Sequence, residues 1–302
     1  MIDIPGMDQL LDETYMAYYD IVRDQVESLL SSTVRERRLD YQRLQRVVIV
    51  VIDKLAADGA KAFSQIHNME RQGDYVVQHS LNVGIMAALM GSWLGWDEEL
   101  RRELVVAGLL HDIGKLCIDK NLMNKSGRLT PDEFAIIKRH TEYGAKILQE
   151  AGETRPEVVG GVSQHHERND GSGYPLGLRG ENISVFGRIL SFLDIYDAMA
   201  SDRAYASKKS PFEAFAVMGD DMKEGRLDPE FAVQFMKNTS RALVGTWVEL
   251  SDGERGRIVY IPESRIGALP MVQTIYDKFV DLEHRKDITI KAILTARELL
   301  TQ

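Results

Sequence analysis

Cysteine is nearly absent from this chain, since Cys117 is the only one among 302 residues. A single thiol excludes a disulfide framework and a thiolate metal cluster, and it is typical of a reducing compartment. Long apolar runs are also missing, because the most apolar segment, residues 47–52, is far shorter than the roughly 20 residues that cross a bilayer. The first residues show no basic segment leading into an apolar one. We therefore expect a cytoplasmic protein without a membrane partner.

The chain also lacks an excess of basic residues. It has 37 Lys and Arg against 46 Asp and Glu, which gives a net charge of −9. Proteins that bind DNA or RNA broadly hold the phosphates with surplus Lys and Arg, so we expect no polymeric nucleic acid as a partner. The hydrophobic share of 44% and the charged share of 27% are typical of a folded globular protein.

Apolar residues recur at three- and four-residue spacing along most of the chain and predict a mainly α fold. We predict an N-terminal helical region at 1–72, a catalytic helical bundle at 73–240 and a small β-rich region at 241–302. In the last region, strands at 246–250 and 256–261 flank an Asp252-Gly253 turn, a third strand is predicted at 271–276, and a short helix at 291–300 closes the chain. Residues 10–29 form an amphipathic pattern, through which we expect two N-terminal regions to pair in a homodimer.

Five of the seven histidines lie between residues 79 and 166. A single histidine on an apolar helix is more often a hydrogen-bonded core residue than a ligand, but the cluster favours a shared site. Each histidine and two aspartates can be assigned to a predicted helix: His79 on 75–94, His111 and Asp112 at the end of 100–110, His140 on 131–149 behind a Thr130–Glu133 capping box, His165 and His166 at the end of 156–164, and Asp194 on 185–196.

Two of these helices, 100–110 and 185–196, are apolar nearly all round and should be central to the bundle. Burying His111, Asp112 and Asp194 there is costly unless a metal compensates their polarity. Imidazole and carboxylate without thiolate suit Fe, Mn, Ni, Co or Zn, whereas histidines disfavour an all-oxygen Mg or Ca site. Seven ligands are too many for one ion with an open position. They predict two ions bridged by an aspartate, an arrangement that hydrolyses phosphoesters.

Two motifs resemble those of a known family. His111-Asp112-Ile113-Gly114-Lys115 is similar to the HD motif of the HD phosphohydrolase superfamily, and His165-His166-Glu167 followed by Asp170-Gly171-Ser172-Gly173-Tyr174-Pro175 is similar to the second motif of its HD-GYP branch. The resemblance covers residues 74–215 and implies a helical domain that degrades cyclic di-GMP. It also implies a ligand set with Asp112 as the bridge: His79, His111, Asp112, His140, His165, His166 and Asp194.

Three further residues are candidates for substrate contacts. Lys115 could simply close its helix, but its place beside the HD pair favours a catalytic role at a phosphate. Tyr174 lies in a loop that could be only a tight turn, although its ring would suit guanine stacking. Arg203 is in a segment that resembles the family's substrate side. Asp197 is predicted to orient a ligand histidine through a hydrogen bond.

One departure from the family pattern concerns the number of ions. Some members carry a Glu four residues before the first ligand histidine, where it helps to hold a third metal, and this chain has Tyr75 there. We therefore expect two divalent transition-metal ions, with Fe or Mn favoured over Ni, Co or Zn, and a bridging hydroxide that attacks phosphorus. The end product, pGpG or GMP, stays open.

Two other functions are compatible with the same residues. A catalytically weak effector or scaffold that binds cyclic di-GMP would also fit three features of the chain: Tyr75, Ala206 in place of a basic residue that is frequent in the family, and the β-rich appendix. An HD-type hydrolase acting on a different nucleotide is the remaining alternative. Metal content together with product analysis separates these functions.

Overall fold

The protein is mainly α-helical with a small antiparallel sheet at its C-terminal end, as the sequence predicted. The structure, a computed structural model, describes residues 13–68, 74–125, 127–201, 208–262, 265 and 267–294. The helices are α1 (Glu13–Glu36), α2 (Tyr41–Val50), α3 (Gly59–Asn68), α4 (Tyr75–Trp93), α5 (Glu98–Leu110), α6 (Lys120–Met123), α7 (Pro131–Lys138), α8 (His140–Glu150), α9 (Pro156–Gln164), α10 (Val185–Ala200), α11 (Pro211–Lys223) and α12 (Pro229–Leu243). A π-helical turn (Val51–Leu55) extends α2, and short 3-10 helices lie at Ile113–Cys117 and Gly180–Asn182.

Helices α4 and α10 form the centre of the bundle and are buried over most of their length. Their apolar residues are not confined to one stripe, which is typical of helices surrounded by others. Each begins at a side chain that accepts a backbone N–H: Asp74 caps α4, and Ser184 caps α10. These caps fix where the two helices start and therefore where His79 and Asp194 lie along them. None of the described helices is long and apolar enough to span a membrane.

The helix predicted at 131–149 is instead two helices, and this is a correction. The capping box of Thr130 and Glu133 is present, but α7 ends at Lys138 and α8 begins at His140. The ring of His140 donates from Nδ1 to the carbonyl of Ile137, at 2.7 Å, across the break. His140 is therefore the first residue of a new helix and does not lie past the middle of a long one.

The N-terminal helices pack directly on this bundle. The inner side of α1 buries Tyr15, Tyr19, Val22, Val26 and Leu29, which belong to one continuous hydrophobic core with the residues of α4 and α10. Much of the apolar face that we expected to pair two subunits is thus covered within the chain. The homodimer and the boundaries after residues 72 and 240 stay predictions.

The C-terminal region folds into a five-stranded antiparallel sheet in the order β4-β3-β2-β1-β5. The strands are β1 (Trp247–Leu250), β2 (Arg255–Tyr260), β3 (Met271–Thr274), β4 (Phe279–Asp281) and β5 (Ile290–Ile293). The helix predicted at 291–300 is wrong at its start, because Ile293 pairs with Val248 and extends the sheet. Burial of Ile290 and Ile293 and the ladder to β1 stabilise the extended conformation. The rest of that prediction, from residue 295, lies outside the described residues.

Candidate metal centre

The seven predicted ligands meet inside the bundle, although they come from five separate helices. His79 lies on α4, His111 and Asp112 follow α5, His140 begins α8, His165 and His166 follow α9, and Asp194 lies on α10. All are buried except His166, which is half-buried.

Asp112 lies at the centre of the cluster. Its Oδ2 is 3.5 Å from Nε2 of both His79 and His111. Its Oδ1 is 3.4 Å from Nε2 of His140 and 3.7 Å from Nε2 of His165. Each carboxylate oxygen therefore faces a different pair of imidazoles, which is the arrangement that a bridging ligand requires.

The two carboxylate oxygens of Asp194 also face different histidines. Its Oδ1 lies 2.9 Å from Nε2 of His79, and its Oδ2 lies 3.7 Å from Nδ1 of His166. Two groups of potential ligands result, one with His79, His111 and Asp112 and the other with His140, His165 and His166. Within each group the donor atoms lie within 4.8 Å of one another.

The tautomers of three histidines are set by the backbone. Nδ1 of each ring lies 2.7–2.9 Å from the backbone carbonyl three residues earlier, which is Gly108 for His111, Ile137 for His140 and Val162 for His165. Nδ1 therefore carries the proton, and Nε2 presents its lone pair to the site. Nε2 of His140 and Nε2 of His165 then face each other at 3.2 Å without a proton between them. The buried Oδ1 of Asp112 has no hydrogen-bond partner. Converging lone pairs around an unpaired carboxylate oxygen fit a cation, so the residues present suit a metal centre.

Charges in the cluster favour metal binding. Burial lowers the pKa values of His111, His140 and His165 to about 4, so these rings are neutral at pH 7. Burial would raise the pKa of Asp112, but Lys115 and the neighbouring histidines together outweigh it and hold that pKa well below its usual range. These three imidazoles are thus neutral and the carboxylate of Asp112 is ionised, which are the protonation states that a metal ligand needs.

His79 differs from the other histidines because carboxylates contact both of its nitrogens. Burial disfavours its charged form, yet the hydrogen bonds to Asp194 and Asp197 raise its pKa to about 9. Nδ1 of His79 lies 2.6 Å from Oδ2 of Asp197, which is fully buried. The structure thus places Asp197 where the sequence predicted it, as the partner that orients a candidate ligand histidine.

Lys115 contacts the cluster directly, since its ammonium donates to Oδ2 of Asp112. Lys115 also lines a cleft of about 230 Å³ together with Tyr75 and Lys120. The ring of Tyr75 stacks on His79 with 5.3 Å between ring centres. The residue that replaces the family's Glu therefore brings an aromatic face to the centre instead of a carboxylate.

The loop at 170–178 is held in place by Glu167, a residue to which the sequence gave no role. Its buried carboxylate accepts the backbone N–H of Leu176 at 2.6 Å and of Leu178 at 2.9 Å. Gly173 is also required, because a Cβ there would lie 2.3–2.5 Å from backbone atoms of residues 166–168. A carboxylate immediately after the His165-His166 pair was visible in the sequence, but its backbone partners depend on how the loop folds back.

The same loop carries Tyr174, whose ring stacks on His166 with 4.7 Å between centres. Burial raises the pKa of the Tyr174 hydroxyl above its usual range, so the phenol remains a neutral donor. The ammonium nitrogen of Lys138 lies 5.6 Å from the centre of the Tyr174 ring. Tyr174 is thus next to the candidate metal ligands, while Arg203 and Ala206 lie outside the described residues.

Known proteins resemble parts of this chain in sequence. The chain is 34% identical over 212 residues to a cyclic di-GMP phosphodiesterase of Pseudomonas aeruginosa, an alignment that covers 69% of this chain and 51% of the relative. It is 32% identical over 174 residues to a 3'3'-cGAMP-specific phosphodiesterase of Vibrio cholerae, covering 57% of this chain and 40% of the relative. The chain therefore spans about half the length, or less, of these two curated relatives.

A solved structure shares the fold. An HDG"Y"P protein from Bdellovibrio bacteriovorus superposes with a TM-score of 0.60 at 19% identity, and the match covers 76% of this chain and 74% of that one. The family model described as HD domain matches residues 51–231, more than half of the sequence. These matches confirm the family that the motifs predicted: the chain belongs to the HD domain family.

Proposed function

We propose that this chain is a metal-dependent phosphodiesterase that hydrolyses cyclic di-GMP. The observation that carries the proposal is the central position of Asp112, whose two oxygens face two separate imidazole pairs. The similarity to a curated cyclic di-GMP phosphodiesterase supports the choice of substrate. We place the protein in the cytoplasm, as its single cysteine suggests.

The candidate ligands form two groups, and each group could hold one divalent ion. His79, His111 and Asp112 Oδ2 would hold one ion, and His140, His165, His166 and Asp112 Oδ1 would hold the other, with one oxygen of Asp194 turned to each group. Neutral imidazoles with carboxylates favour Fe or Mn, with Ni, Co and Zn as alternatives. When bound, such ions supply a nucleophile at neutral pH and stabilise charge on the phosphoryl oxygens.

The residues around the candidate ligands support three further proposed roles. Lys115, which contacts Asp112, lines the same cleft as Lys120, so their ammonium groups can receive a phosphate of the substrate. Tyr174 is held at the His166 side by Glu167 and its loop, where its ring can contact a guanine base. Arg203 is proposed as a further substrate contact from the motif alone.

The experiment is product analysis with a matched control. Full-length protein loaded with Mn²⁺ or Fe²⁺ is incubated with cyclic di-GMP, and pGpG and GMP are separated by liquid chromatography. The double variant His111→Ala/Asp112→Ala should lose turnover. The control Asp281→Ala/His284→Ala removes the same residue types from a hydrogen-bonded pair on the exposed edge of the sheet and should retain it.

The same assay decides between the alternatives. Full turnover by His111→Ala/Asp112→Ala after chelation would contradict the metal mechanism. Binding of cyclic di-GMP without product would identify an effector or scaffold. Selective cleavage of 3'3'-cGAMP would instead match the substrate named for the Vibrio relative.

The homodimer is a separate proposal. Tyr18 and Ile21 remain exposed on the outer side of α1 and offer apolar area for a partner copy. Light scattering at increasing concentration should show a dimer, and a monomer throughout would contradict it.

A further inference from the structure

A chain of buried hydrogen bonds connects the N-terminal helix α1 to the metal centre. The hydroxyl of Tyr19 lies 2.8 Å from Oδ1 of Asn82, and Nδ2 of Asn82 lies 2.8 Å from Oδ1 of Asp197. Oδ2 of Asp197 then accepts from Nδ1 of His79 at 2.6 Å. None of the four side chains is more than 1% exposed.

We call this connected set of side chains, Tyr19, Asn82, Asp197 and His79, the relay. The direction of every hydrogen bond in the relay follows from the donors and acceptors that each side chain has. The carboxylate of Asp197 only accepts, so the amide NH₂ of Asn82 must face it. The carbonyl oxygen of Asn82 therefore faces Tyr19, whose hydroxyl must donate. At the other end, Nδ1 of His79 donates to Asp197, which leaves Nε2 for Asp112 and Asp194.

Removing one link would loosen the next. Both oxygens of Asp197 are occupied, one by Asn82 and the other by His79, and this fixes the rotation of the carboxylate. Asn82 is held in turn by Tyr19, which is 63 residues away in the chain and belongs to the N-terminal region. Because these side chains are buried, an unsatisfied amide oxygen there is costly and favours rearrangement of the side chain.

We propose that Tyr19 is a positioning residue for His79, so that helix α1 sets the affinity of the ion site formed by His79, His111 and Asp112. This inference rests on the proposed metal centre. It gives the N-terminal region a specific role: its packing on α4 determines how one ligand is presented. The second ion site, at His140, His165 and His166, lies outside the relay.

Helix α1 supplies a matched control. Tyr15 lies one turn before Tyr19 and is also buried, but its hydroxyl donates to the backbone carbonyl of Leu55 at 3.1 Å. Tyr15→Phe and Tyr19→Phe therefore each remove one buried hydroxyl from the same helix, but only Tyr19→Phe removes a hydrogen bond to Asn82. Asn82→Ser tests the relay at its next link.

The test is equilibrium dialysis of the full chain against a series of Mn²⁺ concentrations, with bound Mn²⁺ counted by mass spectrometry. Wild type should bind two ions. Tyr19→Phe should weaken one of them about 10-fold, the lower end of the effect for direct partners of ligand histidines. Asn82→Ser should weaken the same ion at least as much, and Tyr15→Phe should stay within about 2-fold of wild type.

Other results have distinct meanings. Identical binding by Tyr19→Phe and Tyr15→Phe would overturn the inference while leaving the metal centre intact. Equal weakening of both ions by Tyr19→Phe would show a general structural role and would also overturn it. Failure of wild type to bind Mn²⁺, Fe²⁺ or Zn²⁺ would overturn the proposed function itself.

Discussion

Gly114 lets α8 approach the turn that carries Asp112, and filling that space should damage the site in a measurable way. A Cβ at position 114 would lie 1.9 Å from the carbonyl oxygen of His140 and 2.6 Å from the nitrogen of Gly144. Both atoms belong to backbone, so no side chain can rotate away. In Gly114→Ala, α8 must withdraw by about 1 Å, an overpacking that costs about 1–3 kcal/mol of unfolding free energy.

The displacement should lower activity as well as stability. His140 is the first residue of α8, so its Nε2 moves with the helix relative to Asp112. A misplacement of about 1 Å in a catalytic site can cost about 100-fold in rate. Urea unfolding gives the stability change, and kcat/KM for cyclic di-GMP gives the catalytic one.

Gly219→Ala is the control for this substitution. Gly219 lies within α11, and a Cβ there meets nothing within 4 Å. The alanine should raise the unfolding free energy by about 0.4–1 kcal/mol and leave activity unchanged. Unchanged stability and activity in Gly114→Ala would refute the argument that close backbone packing positions His140.

Three further perturbations test the loop, a buried histidine and the ions. Glu167→Gln places an amide NH₂ against the backbone N–H of Leu176 or Leu178, so it should lower the unfolding free energy in urea by about 1–3 kcal/mol and raise KM. Unchanged values of both quantities would contradict the role of Glu167. Burial lowers the pKa of His67 to about 3, so the native state binds fewer protons than the unfolded chain between pH 3 and about 6.5. The unfolding free energy therefore decreases as the pH is lowered through this range, by up to about 1.4 kcal/mol per pH unit. His67→Gln cannot take up that proton, and its stability, measured from pH 7 to pH 4, should decline less steeply than that of wild type; an equal decline would refute this account. Removing divalent ions with EDTA should lower Tm, because ions at 100 times their Kd stabilise a native state by about 2.7 kcal/mol. Added Mn²⁺ should restore the Tm, and a Tm unaffected by EDTA would contradict the ligand assignment.

The sequence predicted the elements that depend on local signals. The helix at 156–164 agrees with α9, and the caps at Thr130 and Ser184 are present. The break before His140 was missed because apolar spacing continues through it without Gly or Pro at the junction. The start of α8 also packs closely against Gly114, a tertiary contact that local spacing does not reveal.

The site was predictable to a similar extent. The candidate ligands were found because two motifs carry most of them and because burying that many polar groups needs compensation. The relay through Tyr19 and Asn82 had no sequence signal, since a tyrosine on an apolar helix face is an ordinary core residue. Strand β5 was missed for a related reason: Ile290–Ile293 is a short apolar segment, and pairing with β1 decides its conformation.

The most direct test of the central claim is anomalous diffraction from crystals of the full chain grown with Mn²⁺ or Fe²⁺. The account predicts two anomalous peaks about 3.5–4 Å apart, one on the His79 and His111 side of Asp112 and one on the His140 and His165 side. Each peak should have one carboxylate oxygen of Asp112 as a ligand. A single peak, or two peaks that do not share Asp112, in crystals of active protein would contradict it.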